Sequence, residues 1–169
     1  MLPIGGGHFV FSKKNTYYNK DIHPEPYLAK NIYKMPSGLL HVAKALEKYE
    51  ARPSQYILCS ERSAAHLAPF SSQFSFVYTR IYQTEAALIL AGRRDEIENR
   101  RNAVEGLRYG FLDENAAISL LKEVKCYWVV LDSSTSPKIP IVLQKANFEC
   151  CIKDSGYELW RRRTKHQAN

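Results

Sequence analysis

The stretch KCYWVVLDSSTSP, residues 125–137, governs how the rest of the chain is read. Residues 124–131 are apolar at nearly every position, with Tyr127, Trp128, Val129 and Val130 in a row. A run that short, β-branched or aromatic and without alternation, fits a strand covered on both faces better than a helix. It stops abruptly in six polar or turn-forming residues: Asp132, Ser133, Ser134, Thr135, Ser136 and Pro137. In open α/β sheets the carboxyl ends of the strands are where ligands bind.

The flanks extend the pattern. Upstream, Asp113 is placed to cap a helix whose Ala116, Ala117, Leu120, Leu121 and Val124 face inward. Downstream, residues 140–145 read as a short helix, and residues 148–152 and 157–160 as two strands. The KDSG between them, residues 153–156, reads as a tight hairpin turn with glycine at its left-handed position. Earlier, Ser37 is placed to cap a helix with Leu39, Leu40, Val42, Ala43 and Leu46 on one face. Residues 55–60 (QYILCS) read as a buried strand followed by a short helix over 64–67. Residues 75–78 read as a second strand, ending in Thr79 and Arg80, and the helical pattern resumes from residue 83. Strand and helix thus alternate three times before the hairpin. With right-handed crossovers that order predicts an α/β fold, a Rossmann-like three-layer sandwich: a mostly parallel sheet with a C-terminal antiparallel hairpin. Residues 1–36 read as an irregular, aromatic N-terminal arm, residues 37–163 as the domain, and residues 164–169 as a frayed tail.

A chain of 169 residues suits one core, with 45% hydrophobic and 24% charged residues, as in ordinary soluble globular proteins. The net charge of +7 raises the question of nucleic acid or anionic lipid. Much of the excess sits at Arg93, Arg94, Arg100 and Arg101, and at Arg161, Arg162, Arg163 and Lys165. No stripe of cations with interleaved stacking aromatics accompanies them, so no nucleic-acid partner is expected. Residues 93–101 mix signs at helical spacing, the pattern of an exposed helix face, with a ridge against anionic headgroups as the alternative. Cys59, Cys126, Cys150 and Cys151 all lie in apolar runs and form no CxxC pair, so they read as buried, reduced structural thiols. No apolar run approaches the ~20 residues of a membrane helix, and the N-terminus lacks the pattern of a signal peptide. Any anchor is therefore expected outside this sequence.

Signatures of defined chemistry are missing. No GxGxxG, GxxxxGK[ST], GxSxG or HExxH occurs, and the histidines at 8, 23, 41, 66 and 166 are scattered. No catalytic residue, metal site or cofactor is assigned. What remains is topological: Ser60, Glu61 and Arg62 end one expected strand, Arg80 another, and Asp132, Ser133 and Ser134 the central one. If the three strands are parallel neighbours, these residues share one rim, a pocket for a polar or phosphorylated ligand with Arg62 or Arg80 as counter-charge. The plainer alternative is that Asp132 or Glu61 caps a helix or pairs with an arginine.

The phrases NIYKMPSGLLHVAKALE, YILCSERSAAHLAPFSSQFSFVYTR, AISLLKEVKCYWVVLD and ANFECCIKDSGYELWRR follow one another, with a charged helical span in the middle. In that order they resemble the C-terminal soluble region of bacterial polytopic membrane proteins of the membrane glycosyltransferase superfamily, which uses lipid-linked sugars, and of its uncharacterised relatives. The likeness covers residues 31–163 and is architectural. It implies an accessory domain at the extracytoplasmic face of the cell membrane, partnered by the membrane portion of its parent protein, near a glycan or lipid-linked sugar. The superfamily's catalytic acids lie in membrane loops, so none carries over. The expected function is recognition of a glycan or phosphorylated ligand, non-catalytic in this chain alone. The alternatives are a free-standing cytoplasmic Rossmann-like enzyme working through Glu61, Arg80 and Asp132, and a protein-interaction module using the aromatic arm.

Overall fold

The computed structural model describes residues 35–79 and 84–163. The expected N-terminal arm (apart from its last two residues), Arg80 and the expected tail lie outside them. In chain order the elements are α1 (Ser37–Lys48), β1 (Tyr56–Leu58), α2 (Glu61–Leu67), α3 (Thr84–Leu90), α4 (Asp95–Tyr109), α5 (Glu114–Glu123), β2 (Cys126–Leu131), α6 (Ile139–Lys145), β3 (Phe148–Asp154) and β4 (Tyr157–Arg162).

The four strands form one sheet in the order β1-β2-β4-β3. Only β1 and β2 are parallel; β2 with β4, and β4 with β3, run antiparallel. This corrects the expectation of a mostly parallel Rossmann-like sheet: the fold is a mixed α/β sheet. Two physical causes account for it. The segment expected as a second parallel strand over residues 75–78 makes a single bridge, Phe76 opposite Ile57. Its two hydrogen bonds, Ile57 N–H to Ser75 O at 2.7 Å and Val77 N–H to Ile57 O at 2.9 Å, extend no further into a ladder. Meanwhile the hairpin does not merely trim an edge. Ser155 (φ 47°) and Gly156 (φ 80°) both turn left-handed, as a two-residue turn matched to strand twist requires. That turn carries β4 back alongside β2, where Leu159 and Trp160 become buried opposite Val130 and Val129. β3 is left at the margin.

Residues opposite one another across a ladder share a face. Ile57 with Trp128, and Val130 with Leu159, therefore mark one side of the sheet. There Tyr49, at the end of α1, stacks on Trp128 with centroids 5.7 Å apart. Leu58, Val129 and Trp160 mark the other side, in one buried cluster with Ala103 and Leu107 of α4, Leu121 of α5 and Leu143 of α6. β2, with both neighbours and both faces occupied, is the interior strand that its sequence predicts.

Local signals fared unevenly. Asp113 accepts the Ala116 amide at 2.7 Å, capping α5. Ser37 does not cap α1; Pro36 holds that position with its φ at −57°, and no side chain closes the turn. Glu61, not Ala64, opens α2, because Ser60 Oγ accepts the Ser63 amide at 3.2 Å. The thiols divide as well. Cys59 and Cys126 are buried, but Cys150 is exposed and Cys151 partly so, since β3 is an edge strand whose register shifts between Cys150 and Ile152.

Trp128 is 1% exposed, and its indole N–H donates to Gln55 Oε1 at 3.3 Å. Trp128→Ala is expected to cost about 3–5 kcal/mol in urea unfolding. A loss below about 1 kcal/mol would mean that β2 is not the interior rung.

Candidate functional site

Because β1 and β2 run parallel with Leu58 opposite Val129, the chain leaves both strands at the same end of the sheet. After β1 it turns into α2 through Ser60; after β2 it turns through Asp132. The Asp132 carboxylate joins the two. Its Oδ2 accepts Ser60 Oγ–H at 2.5 Å and Ser63 Oγ–H at 2.7 Å. Its Oδ1 accepts the Ser134 hydroxyl at 2.5 Å and the Ser134 amide at 2.9 Å. The Asp132 amide in turn donates to Thr135 Oγ1 at 3.0 Å. Burial alone would raise this carboxyl's pKa, but the hydrogen bonds from Ser134, Ser60 and Ser63 outweigh it and hold the group below its usual range. Asp132 is thus an ionised clasp with both oxygens committed. A carboxylate so satisfied is poorly suited to take a proton from a substrate.

Beside the clasp opens a cleft of about 470 Å³. Ser60, Glu61 and Arg62 form one wall, and Ser134 and Thr135 border it from the turn after β2. α4 supplies the opposite wall through Arg101, Val104, Glu105 and Arg108, with Tyr109 at its end. Residues three, four and seven apart fall on one helix face, which is why these side chains meet. The neighbouring Arg100 is held elsewhere, at 3% exposure. Its Nη1 donates to Val77 O at 3.1 Å, its Nη2 to Glu96 Oε2 at 3.0 Å, and its guanidinium lies 4.5 Å from the Tyr56 ring centroid. This corrects the view of residues 93–101 as simply an exposed face. At the far end of α4, Gly106 admits Phe111 so closely that a Cβ there would lie 2.1 Å from the ring.

Of the expected rim residues, Ser60, Glu61, Arg62 and Ser134 come together on the cleft. Asp132 lies behind them and faces a smaller hollow of about 190 Å³ with Lys153 and Tyr157. Ser133 is exposed and lines neither hollow. Arg80 lies outside the described residues. Arg101, Arg108 and Tyr109 were not anticipated; the signal that could have found them is the seven-residue spacing of the two arginines within a helix. Cys59 sits next to Ser60, and burial, reinforced by the Asp132 charge, pushes its thiol far up, away from a reactive thiolate. Among the described residues no cluster of His, Cys, Asp and Glu is arranged to hold a metal ion.

Asp132→Asn is expected to lose about 1–3 kcal/mol at neutral pH, because hydroxyls and an amide lose a charged acceptor. A depressed folded-state pKa gives stability that is full above the unfolded carboxylate value of about 3.9 and lost as pH falls through the folded one. Acid unfolding of the wild type should therefore steepen below about pH 4 relative to the variant; equal acid profiles would show that the clasp is not formed. No protein-family model matches the chain, no curated protein matches it, and no solved structure matches it.

Proposed function

We propose that this chain is a recognition domain whose cleft takes a small phosphorylated ligand. The observation that carries this reading is the convergence of Arg62, Arg101 and Arg108, from two helices, on a hollow of about 470 Å³ at the carboxyl ends of the parallel strands. Three arginines line it against two glutamates, Glu61 and Glu105, so the lining carries a positive balance that favours an anion. Guanidinium forks match phosphate oxygens two at a time, and the site size falls in the range of small-molecule pockets. Between the glycan and the phosphorylated ligand that the sequence leaves open, this charge favours the second.

Group transfer fares worse. The enzyme alternative needs Asp132 as a working acid or base, yet its oxygens are filled by four hydrogen bonds from Ser60, Ser63 and Ser134. The likeness to the soluble region of membrane glycosyltransferases supports an accessory role beside a membrane and supplies no catalytic residue. Among the described residues no helix is long and apolar enough to cross a membrane.

Thermal unfolding with inorganic phosphate, pyrophosphate and a sugar phosphate tests the proposal. Saturating ligand should raise Tm by about 5 °C or more. Arg62→Ala and Arg108→Ala, both exposed in the free domain, should each weaken that response about tenfold. An unchanged Tm with all three ligands would falsify the assignment.

A further inference from the structure

At the end of the helix that walls the cleft stands apolar surface that binding a dissolved ligand leaves without a purpose. α4 ends at Tyr109, 72% exposed, and beyond the left-handed turn at Gly110 (φ 85°) Leu112 stands fully in solvent. Phe111, between them, is tucked against Gly106. The turn after β2 abuts this corner: Ser136 N–H donates to Leu107 O at 2.9 Å, and Ser136 Oγ lies 3.2 Å from where a Cβ on Gly110 would be. Exposed Lys138 follows two residues later. The corner therefore sets the cleft arginines Arg62, Arg101 and Arg108 beside exposed Tyr109, with Leu112 three residues further on. Of the nearby acids, Glu61 and Glu105 line the cleft, Asp113 accepts the Ala116 amide, and Glu114 pairs with Lys145.

We propose that this corner docks on an anionic membrane surface: the cleft takes the phosphate of a lipid headgroup while Tyr109 and Leu112 enter the interfacial layer. The proposal rests on the cleft being a phosphorylated-ligand site and adds where that ligand comes from. A leucine held out in water gains by entering the boundary of the acyl chains, and a tyrosine ring suits the headgroup level. Cations near an anionic leaflet add to this, and the chain's net charge of +7 draws it there from within a Debye length. One such signal gives only marginal membrane binding, and two together give stable association. Here the two signals stand at one corner.

The test uses the full chain and two probes. Co-sedimentation is measured with vesicles of phosphatidylcholine alone and of phosphatidylcholine mixed with phosphatidic acid, and thermal shift with inorganic phosphate. The expected result is binding to the mixed vesicles only. Leu112→Glu should keep the phosphate response and bind vesicles at least about tenfold more weakly. Leu112→Ser, which adds no charge, should weaken it in the same direction and serves if the glutamate disturbs folding. Arg108→Ala should diminish both responses. A phosphate shift without vesicle binding would overturn the membrane proposal and leave the cleft as a site for a soluble ligand. Vesicle binding indifferent to Leu112→Ser would reduce it to adsorption of a basic chain, which also overturns it. Loss of both responses would sink both ideas together.

Discussion

The Asp132 carboxylate holds together what the short parallel pair alone could not. β1 is three residues long, so few ladder bonds fix its carboxyl end against that of β2. Four hydrogen bonds to one ionised group supply the remaining constraint, because a charged acceptor binds hydroxyl and amide donors about twice as strongly as a neutral one. The position of Ser60 and Arg62 relative to Ser134 and Thr135, and with it one side of the cleft, follows from that clasp. Ser63, 1% exposed, is buried because its hydroxyl has this acceptor.

The other side of the cleft depends on how one charged helix is phased. Arg100 and Arg101 are neighbours in sequence, but successive residues on a helix point about 100° apart. Arg100 is therefore directed at the sheet, where the Val77 carbonyl, the Glu96 carboxylate and the Tyr56 ring satisfy its charge. Arg101 shares the cleft face with Arg108. The buried arginine fixes the rotation of α4, and the rotation decides which cations reach the ligand. Gly106 and Phe111 lock the far end of the same helix, so the Tyr109–Leu112 corner is presented by a braced element.

At the opposite margin the sheet protects its open edge by other means. β3 presents Glu149, Lys153 and Asp154, and its register shifts between Cys150 and Ile152. Charges and an irregular ladder discourage a further strand from pairing there. Arg161 bridges to Glu149 at 2.6 Å while its guanidinium lies 5.1 Å from the Tyr49 ring centroid, tying the hairpin to the end of α1.

Some of this was legible in the chain before any fold was known. The YWVVL run as an interior strand, the KDSG turn, the Asp113 cap and the polar strand ends at Ser60, Glu61, Arg62 and Ser134 all follow from local period and turn chemistry, which depend on residues close in sequence. The order of the strands did not. Whether residues 75–78 would lengthen a parallel ladder, or β4 would take the place beside β2, depends on burying Leu159 and Trp160 against residues some 30 positions earlier. Likewise no local rule could tell that Arg100 is core and Arg101 is cleft, or that one oxygen of Asp132 is bound by two serines about 70 residues away. Sequence determined what each segment could become, because periodicity and capping are short-range. Tertiary structure alone decided which segments met, because burial and charge satisfaction are settled by partners the chain brings from far away.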